Sequence, residues 1–275
     1  MNIFDFNLHL YNKEKGDLVS QIKSDTELTS SDLISEYTRV SRHFIESGLS
    51  SGNFMLFNQN ILDDNNLRAF MTEVQKQMPL SSFTLLYDFR KYNRGEYIEL
   101  AKRSGIRFVK FHCYVQRILE SEYTQILEFC KVAQNIGLGI CIDTSFGTTA
   151  LYKYDNLKLA AYLAENITKA PIILLHSGGA RVFDAMLIAD LCPNVYLETS
   201  LSLDYFSSSS VIHDFAFAYK KIGLHRVLYA SDYPYKKVDG AINDIISLCD
   251  KYCISDIDKE NILYNNAIKL LKGLE

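Results

Sequence analysis

The sequence has little of what staples, hinges or anchors a chain. Six cysteines in 275 residues are too sparse for a disulfide-built scaffold. Cys113, Cys130, Cys141 and Cys192 are scattered beside apolar neighbours, where a buried free thiol is the simple reading. Cys249 and Cys253 lie four apart, but no second pair is near them to complete a zinc knuckle. Four prolines and thirteen glycines leave no linker, and the serine run at 207–210 is too short to be one. There is no low-complexity tract and no short-period repeat. No stretch reaches the ~18 uninterrupted apolar residues of a membrane span. The N-terminus, MNIFDFNLHLYNKEKG, carries an acid at Asp5 and no basic region before an apolar run, so it does not read as a signal peptide. Positive charge is not in excess either. With 29 basic and 33 acidic side chains the formal charge is −4, which gives no electrostatic reason to bind nucleic acid or an anionic membrane. The expectation is a cytoplasmic protein, one domain over residues 1–275, whose partner is a small molecule.

What is present is a rhythm. Short β-branched and aromatic runs alternate with longer stretches of helical periodicity. Strands are predicted at residues 3–9, 53–58, 82–89, 106–112, 138–143, 171–176, 194–199 and 226–231. Helices are predicted between them, at 33–48, 66–76, 95–104, 119–136, 156–167, 181–191, 211–222 and 241–253. In the first, Leu33, Tyr37, Val40 and Phe44 form one stripe and Gly48 is the stop. Ser255 reads as the N-cap of a last helix, with Asp256 and Asp258 in its first turn. Strands joined by crossover helices pair in parallel and must be covered by those helices. Eight such units predict an α/β fold, a (β/α)8 TIM barrel. No GxGxxG follows the first strand, which removes the dinucleotide-binding form of an open sheet.

A barrel enzyme works at the C-terminal ends of its strands. The first predicted strand closes with Asn7 and His9, two apart and so on one face. The second ends near Asn58, and the third near Asp88 and Arg90. Lys110 and His112 close the fourth, Asp143 the fifth, His176 the sixth, Glu198 the seventh, and Asp232 follows the eighth. Core packing does not explain histidines and a lysine at the ends of otherwise apolar strands.

The segments FDFNLH, VKFH, PIILLHSGG, NVYLETS, RVLYASDYP and NILYNNAIKLL together resemble the amidohydrolase-2 branch of the amidohydrolase superfamily. The resemblance runs from residue 4 to about 271; residues 50 to 90 share only strand position. It implies a TIM barrel holding one divalent metal, commonly zinc, on an N-terminal His-x-His, a strand-five histidine and a strand-eight aspartate. A strand-six histidine serves as acid or base. His9 matches the second histidine, His176 the strand-six histidine and Asp232 the aspartate. Asn7 stands in place of the first histidine and Asp143 in place of the strand-five histidine. The implied ligand set is therefore Asn7, His9, Asp143 and Asp232. An amide is a weak donor, and the added carboxylate makes the set richer in oxygen than an imidazole-built zinc site. A weakened zinc or manganese site and no metal at all both stay open, because the resemblance includes lactone hydrolases that work without one.

Each candidate has a plainer alternative. Asp232 is a ligand or the base that takes a proton from water, or a turn acid before Pro234. His176, followed by Ser177, Gly178 and Gly179, is an acid–base group or a satisfied core histidine. Asn7 could only hold a water. Asp143 is a ligand or base, a helix cap, or the partner of Lys110. Lys110 is expected to neutralise Asp143, to bind a substrate carboxylate or to polarise its carbonyl, and His112 to orient the substrate. Arg90 and Arg181, and less so Arg42 and His43, are candidate anion-binding groups. Tyr233 and Tyr235 are candidate pocket walls, and Glu198 a support for the site.

The expected function is a hydrolase of a carboxylic ester, lactone or amide in a small, acidic substrate. Asp232 takes the water proton and His176 protonates the leaving group. The alternatives are a non-catalytic ligand-binding barrel with a degenerate metal site, and a decarboxylase of the same fold. Apolar surface on the helices at 119–136 and 211–222 allows a homodimer.

Overall fold

Each predicted strand folds as one, and the strands follow one another around a sheet in chain order. The computed structural model describes residues 1–11, 28–57, 61–62, 64–90 and 94–274, with the backbone alone at 94–97. The strands are β1 (Ile3–His9), β2 (Leu49–Leu56), β3 (Ser82–Leu86), β4 (Phe108–Phe111), β5 (Gly139–Asp143), β6 (Ile172–Leu175), β7 (Val195–Glu198) and β8 (Val227–Leu228). All neighbours pair in parallel, in the order β1 to β8. The circle closes where the Phe6 amide donates to the Tyr229 carbonyl at 3.0 Å and the His9 amide to the Tyr233 carbonyl at 2.9 Å. Eight strands closed this way, with helices between them, make a (β/α)8 barrel.

The principal crossover helices are α1 (Ser30–Glu46), α2 (Leu67–Gln77), α3 (Arg94–Ser104), α4 (Tyr123–Asn135), α5 (Asn156–Asn166), α6 (Val182–Leu191), α7 (Val211–Ile222) and α8 (Val238–Lys251). Their starts follow capping chemistry. Thr29 and Asp32 form a reciprocal capping box that begins α1 three residues before the apolar stripe. Asp155 accepts from the Leu157 and Lys158 amides at the start of α5. Ser255 caps the short helix Asp256–Glu260, as its sequence predicts. That helix runs through a π turn, Asn261–Asn265, into Asn266–Lys272. Among the described residues no helix is long and apolar enough to cross a membrane.

Several boundaries differ from the sequence reading. β2 begins at Leu49, because Ile3 and Leu49 already pair there, and Asn58 lies outside the described residues. β8 keeps only two ladder residues. Beyond it the Tyr229 amide donates to Ile262 of the C-terminal segment, and the Ser231 amide donates to the Asp5 carboxylate.

The core has two parts. The larger lies between strands and helices. The smaller fills the barrel interior with Phe4, Phe6, Met55, Phe108, Cys141, Ile173 and Leu228, and Ala267, Leu270 and Leu274 from the C-terminal segment pack against it. Phe6 and Phe108 meet edge to face at 5.2 Å. In β1 a register irregularity between Asp5 and Leu8 switches the alternation. Phe4 and Phe6 belong to the interior cluster, Leu8 packs among the helices, and His9 reaches the mouth.

Candidate active site

A cavity of ≈ 240 Å³ opens at the C-terminal mouth, and every barrel strand except β3 contributes at or beyond its end. Its titratable walls are His9, Lys110, His112, Asp143, His176 and Asp232. Phe57, Tyr114, Phe146, Leu201 and Tyr235 supply aromatic and apolar surface. The polar walls form two groups.

In the first, His9 Nε2 lies 3.0 Å from Asp232 Oδ1. A carboxylate only accepts, so Nε2 carries the proton. Burial pushes the His9 pKa down against the pull of Asp232 and Asp143. The ring is therefore neutral at pH 7, with a lone pair on Nδ1. That atom is buried and finds no hydrogen-bond partner among the described residues. The Phe57 ring stacks on the imidazole at 4.8 Å and 9°.

The second group surrounds Asp143. Lys110 Nζ is 2.8 Å from its Oδ2, His176 Nε2 3.6 Å from the same oxygen, and His112 Nε2 3.6 Å from Oδ1. The Ser145 amide donates to Oδ1 at 3.1 Å, and the Ser145 hydroxyl also donates to it. Burial opposes ionisation of Asp143, but His112, Lys110 and His176 hold its pKa well below the usual carboxylate range. For His176 burial works downward too, yet Asp143 and then Asp232 lift its pKa to about 9. His112 goes the other way, burial taking it down to about 4. At pH 7 one imidazole is a cation and its neighbour is neutral.

His176 is held from behind. Its Nδ1 is 2.9 Å from the Ser200 hydroxyl, which itself donates to Glu198 Oε2 at 2.8 Å. The serine's only proton goes to Glu198, so Nδ1–H is the donor to Ser200. Glu198 also accepts from the His176 amide at 3.2 Å and sits fully buried beneath the site, as a support rather than a wall.

Backbone strain gathers here. His176, Leu201 and Asp232 are non-glycine residues at φ of 65°, 57° and 62°, and all three line the cavity. Gly179 has φ of 57°, and a Cβ there would stand 2.0 Å from the Phe146 ring. Glycine lets Phe146 close that wall.

Not every predicted residue arrives. Asn7 turns aside, its Nδ2 donating to Ser200 Oγ at 3.3 Å while Oδ1 stays buried and unpartnered among the described residues. Arg90 is clamped by Glu122 at 2.7 Å and by the Gln116 carbonyl at 2.9 Å, outside the cavity. Arg181 pairs with Asp155 and Asp184 at 2.8 and 2.9 Å, also outside. Tyr233 packs edge to face on Phe44 at 5.0 Å, and Tyr235 takes the place at the wall. Phe57, Tyr114, Ser145, Phe146 and Leu201 were not singled out by sequence. Phe57 follows β2 directly and Ser145 comes two residues after Asp143, so strand-end position could have found both.

The resemblance's four metal ligands do not converge on a point. Asn7 faces Ser200, His9 and Asp232 bond each other, and Asp143 is engaged by an ammonium group. Among the described residues no three His, Cys, Asp or Glu side chains are arranged to hold a metal ion. The residues present do not fit a divalent cation. Lys110 sets a fixed positive charge against the carboxylate that the ion would need.

A parallel barrel with a charged pocket at its C-terminal mouth is the architecture of TIM-barrel enzymes. The chain belongs to the amidohydrolase family, whose profile matches residues 94–273. No curated protein sequence matches it. Among solved structures it is similar to an uncharacterised TIM-barrel protein from Bordetella bronchiseptica, with TM-score 0.72 and 16% identity over 100% of this chain and 99% of that one. It is also similar to a probable 2-pyrone-4,6-dicarboxylic acid hydrolase from Acinetobacter baumannii with citric acid bound, at 0.65 and 17%, covering 99% and 100%. A third is a dihydroxybenzoic acid decarboxylase from a Polaromonas species with bound manganese and 2-nitroresorcinol, at 0.67 and 15%, covering 99% and 97%. At these identities the likeness speaks for the fold.

Proposed function

We propose that the chain is a metal-independent hydrolase of a small carboxylate-bearing ester or lactone. The observation that carries this reading is the Lys110–Asp143 ion pair, a protein-borne cation in the cavity wall. Lys110 polarises the scissile carbonyl, and the anionic tetrahedral oxygen forms beside its ammonium group. Asp232, held by the Nε2–H of neutral His9, accepts a proton from the attacking water as the new carbon–oxygen bond forms. The His176 imidazolium gives its proton to the departing alkoxide as the old bond breaks. The products are an acid and an alcohol, and a proton passed from Asp232 to His176 through solvent restores the starting state. His112, neutral at pH 7, offers a hydrogen bond to the substrate. The aromatic walls suit a flat substrate, and a carboxylate is the part Lys110 would hold in the ground state.

Decarboxylation is the second reading, supported by the similarity in fold to the Polaromonas decarboxylase. In it Lys110 holds the leaving carboxylate and His176 delivers a proton to carbon. A panel of carboxylated lactones, esters and hydroxybenzoates, assayed in chelator for acid release and for carbon dioxide, separates the two. Acid release that survives chelation and is lost in Lys110→Met and His176→Gln supports the hydrolase. Carbon dioxide release establishes the second reading. Saturable binding without turnover would mean a ligand-binding barrel.

A further inference from the structure

Two hydroxyl groups tie one aromatic wall of the cavity to the buried carboxylate. Tyr114 stands in the single helical turn Cys113–Gln116 that follows β4. Gln116 pins that turn, accepting from the His112 amide at 2.8 Å and donating to the Tyr87 carbonyl at 2.7 Å. The Tyr114 ring meets the His112 ring edge to face at 4.4 Å, and its hydroxyl lies 2.8 Å from Ser145 Oγ. Which hydroxyl donates follows from Asp143. That carboxylate is ionised and only accepts, so the Ser145 proton is spent on it. Tyr114 must then be the donor to Ser145. Burial, and after it the charge of Asp143, raise the Tyr114 pKa, so the phenol keeps that proton at neutral pH. What the phenol oxygen has left is lone pairs. Asp232 and Tyr235 follow β8, across the barrel from β4, and both act electrostatically on the Tyr114 hydroxyl. The oxygen therefore lies toward the cavity that all three line, where it can accept a hydrogen bond and cannot give one.

We propose that Tyr114 is a specificity-determining residue that reads a hydroxyl group on the substrate. The inference rests on the reading of this cavity as the site of a small carboxylate, and it narrows that substrate to a hydroxylated one. A fixed acceptor discriminates by direction. A hydroxyl satisfies it, whereas a methyl ether in the same place presents a second acceptor and leaves both oxygens unpaired. An ammonium group also donates, but it would add a third positive charge beside Lys110 and the His176 imidazolium. A hydroxyl meets the acceptor without that repulsion. Recognition is also coupled to the ion pair. Ser145 and Lys110 share Asp143, one on Oδ1 and the other on Oδ2, so the hydroxyl is read from the same carboxylate that places the ammonium group.

The test is ligand-observed NMR titration of the full chain with matched probes: phenol against anisole, and the hydroxybenzoate isomers against their methyl ethers. Wild type should bind phenol, and the best hydroxybenzoate, at least about tenfold more tightly than the matching ether. In Tyr114→Phe, which keeps the ring and loses the oxygen, that ratio should fall to about one. In Ser145→Ala the phenol proton has no internal acceptor and can turn to the cavity, so the ethers should gain on the hydroxyl probes. A Tyr114–Ser145 bond that served only the fold would lower the melting temperature of Tyr114→Phe and leave the ratio alone, which overturns the proposal. So does a wild type that binds hydroxyl probes and ethers alike, or binds neither. Preference for phenol over anisole with no binding of any benzoate would keep the role of Tyr114 and remove the carboxylate from the proposed function.

Discussion

The two ends of the barrel are made from the same strands and filled in opposite ways. The lower end holds Phe4, Phe6, Phe108 and Leu228, covered by Ala267, Leu270 and Leu274. The mouth holds His9, Lys110, His112, Asp143, His176 and Asp232. Phe108 and Lys110 are two residues apart on one short strand, yet one belongs to each world. The lower end is held by packing, which removal of volume weakens. The mouth is held by paired charge, which removal of one partner turns into a liability.

The sharpest way to break that comparison is Lys110→Met. Both members of the Lys110–Asp143 pair are nearly inaccessible, so breaking it should cost about 3 kcal/mol in urea unfolding, the low end for a buried pair because His176 and Ser145 still face Asp143, and abolish turnover. Adding Asp143→Leu should return most of the stability and none of the activity. Phe108→Ala should cost a similar ~3–5 kcal/mol through a cavity, while ligand affinity at the mouth stays as it was. A smaller effect, about 1–3 kcal/mol, is expected of Gly179→Ala, where the new methyl collides with Phe146 at positive φ. Its melting point should fall and its substrate affinity with it, because Phe146 is a cavity wall.

The pH response is the mildest probe. The folded pKa of His176, about 9, lies above the usual histidine value. Its contribution to stability is complete below that usual value and is lost as pH rises through about 9. Asp143 behaves conversely: its contribution is present above the ordinary aspartate range and is lost on strong acidification. The His176 contribution should therefore decline steadily from about pH 6.5 to about 9, and that of Asp143 only on strong acidification. Turnover should fall on an alkaline limb near pH 9 that is absent from binding of an inert carboxylate. A His176 ring whose NMR titration centres near 6.5 contradicts this account.

The sequence made the barrel legible because its strands are dense in β-branched and aromatic residues and its helices are long. It also located six charged or imidazole walls, because a polar residue ending an apolar strand is a visible anomaly. It was less informative where direction matters. Asn7 and His9 share a spacing, but Ser200 draws one side chain away and Asp232 holds the other. Arg90 and Arg181 follow strand ends as well, yet nearby carboxylates capture both. Glu122 is 32 residues from Arg90 and Asp155 is 26 from Arg181, so a local pattern exposes only the Arg181–Asp184 pair, three residues apart. The aromatic walls were hidden among sixteen phenylalanines and eighteen tyrosines. The metal question turned on Lys110, whose ammonium group faces Asp143 only once β4 and β5 are paired.

The central claim is that Lys110 supplies the positive charge that a metal supplies elsewhere in this fold. Elemental analysis of protein purified without added metal or chelator tests it most directly. The account predicts no stoichiometric zinc, manganese or other transition metal, and no gain in melting temperature when divalent ions are added. One equivalent of metal per chain, lost on His9→Ala or Asp232→Asn, would contradict it.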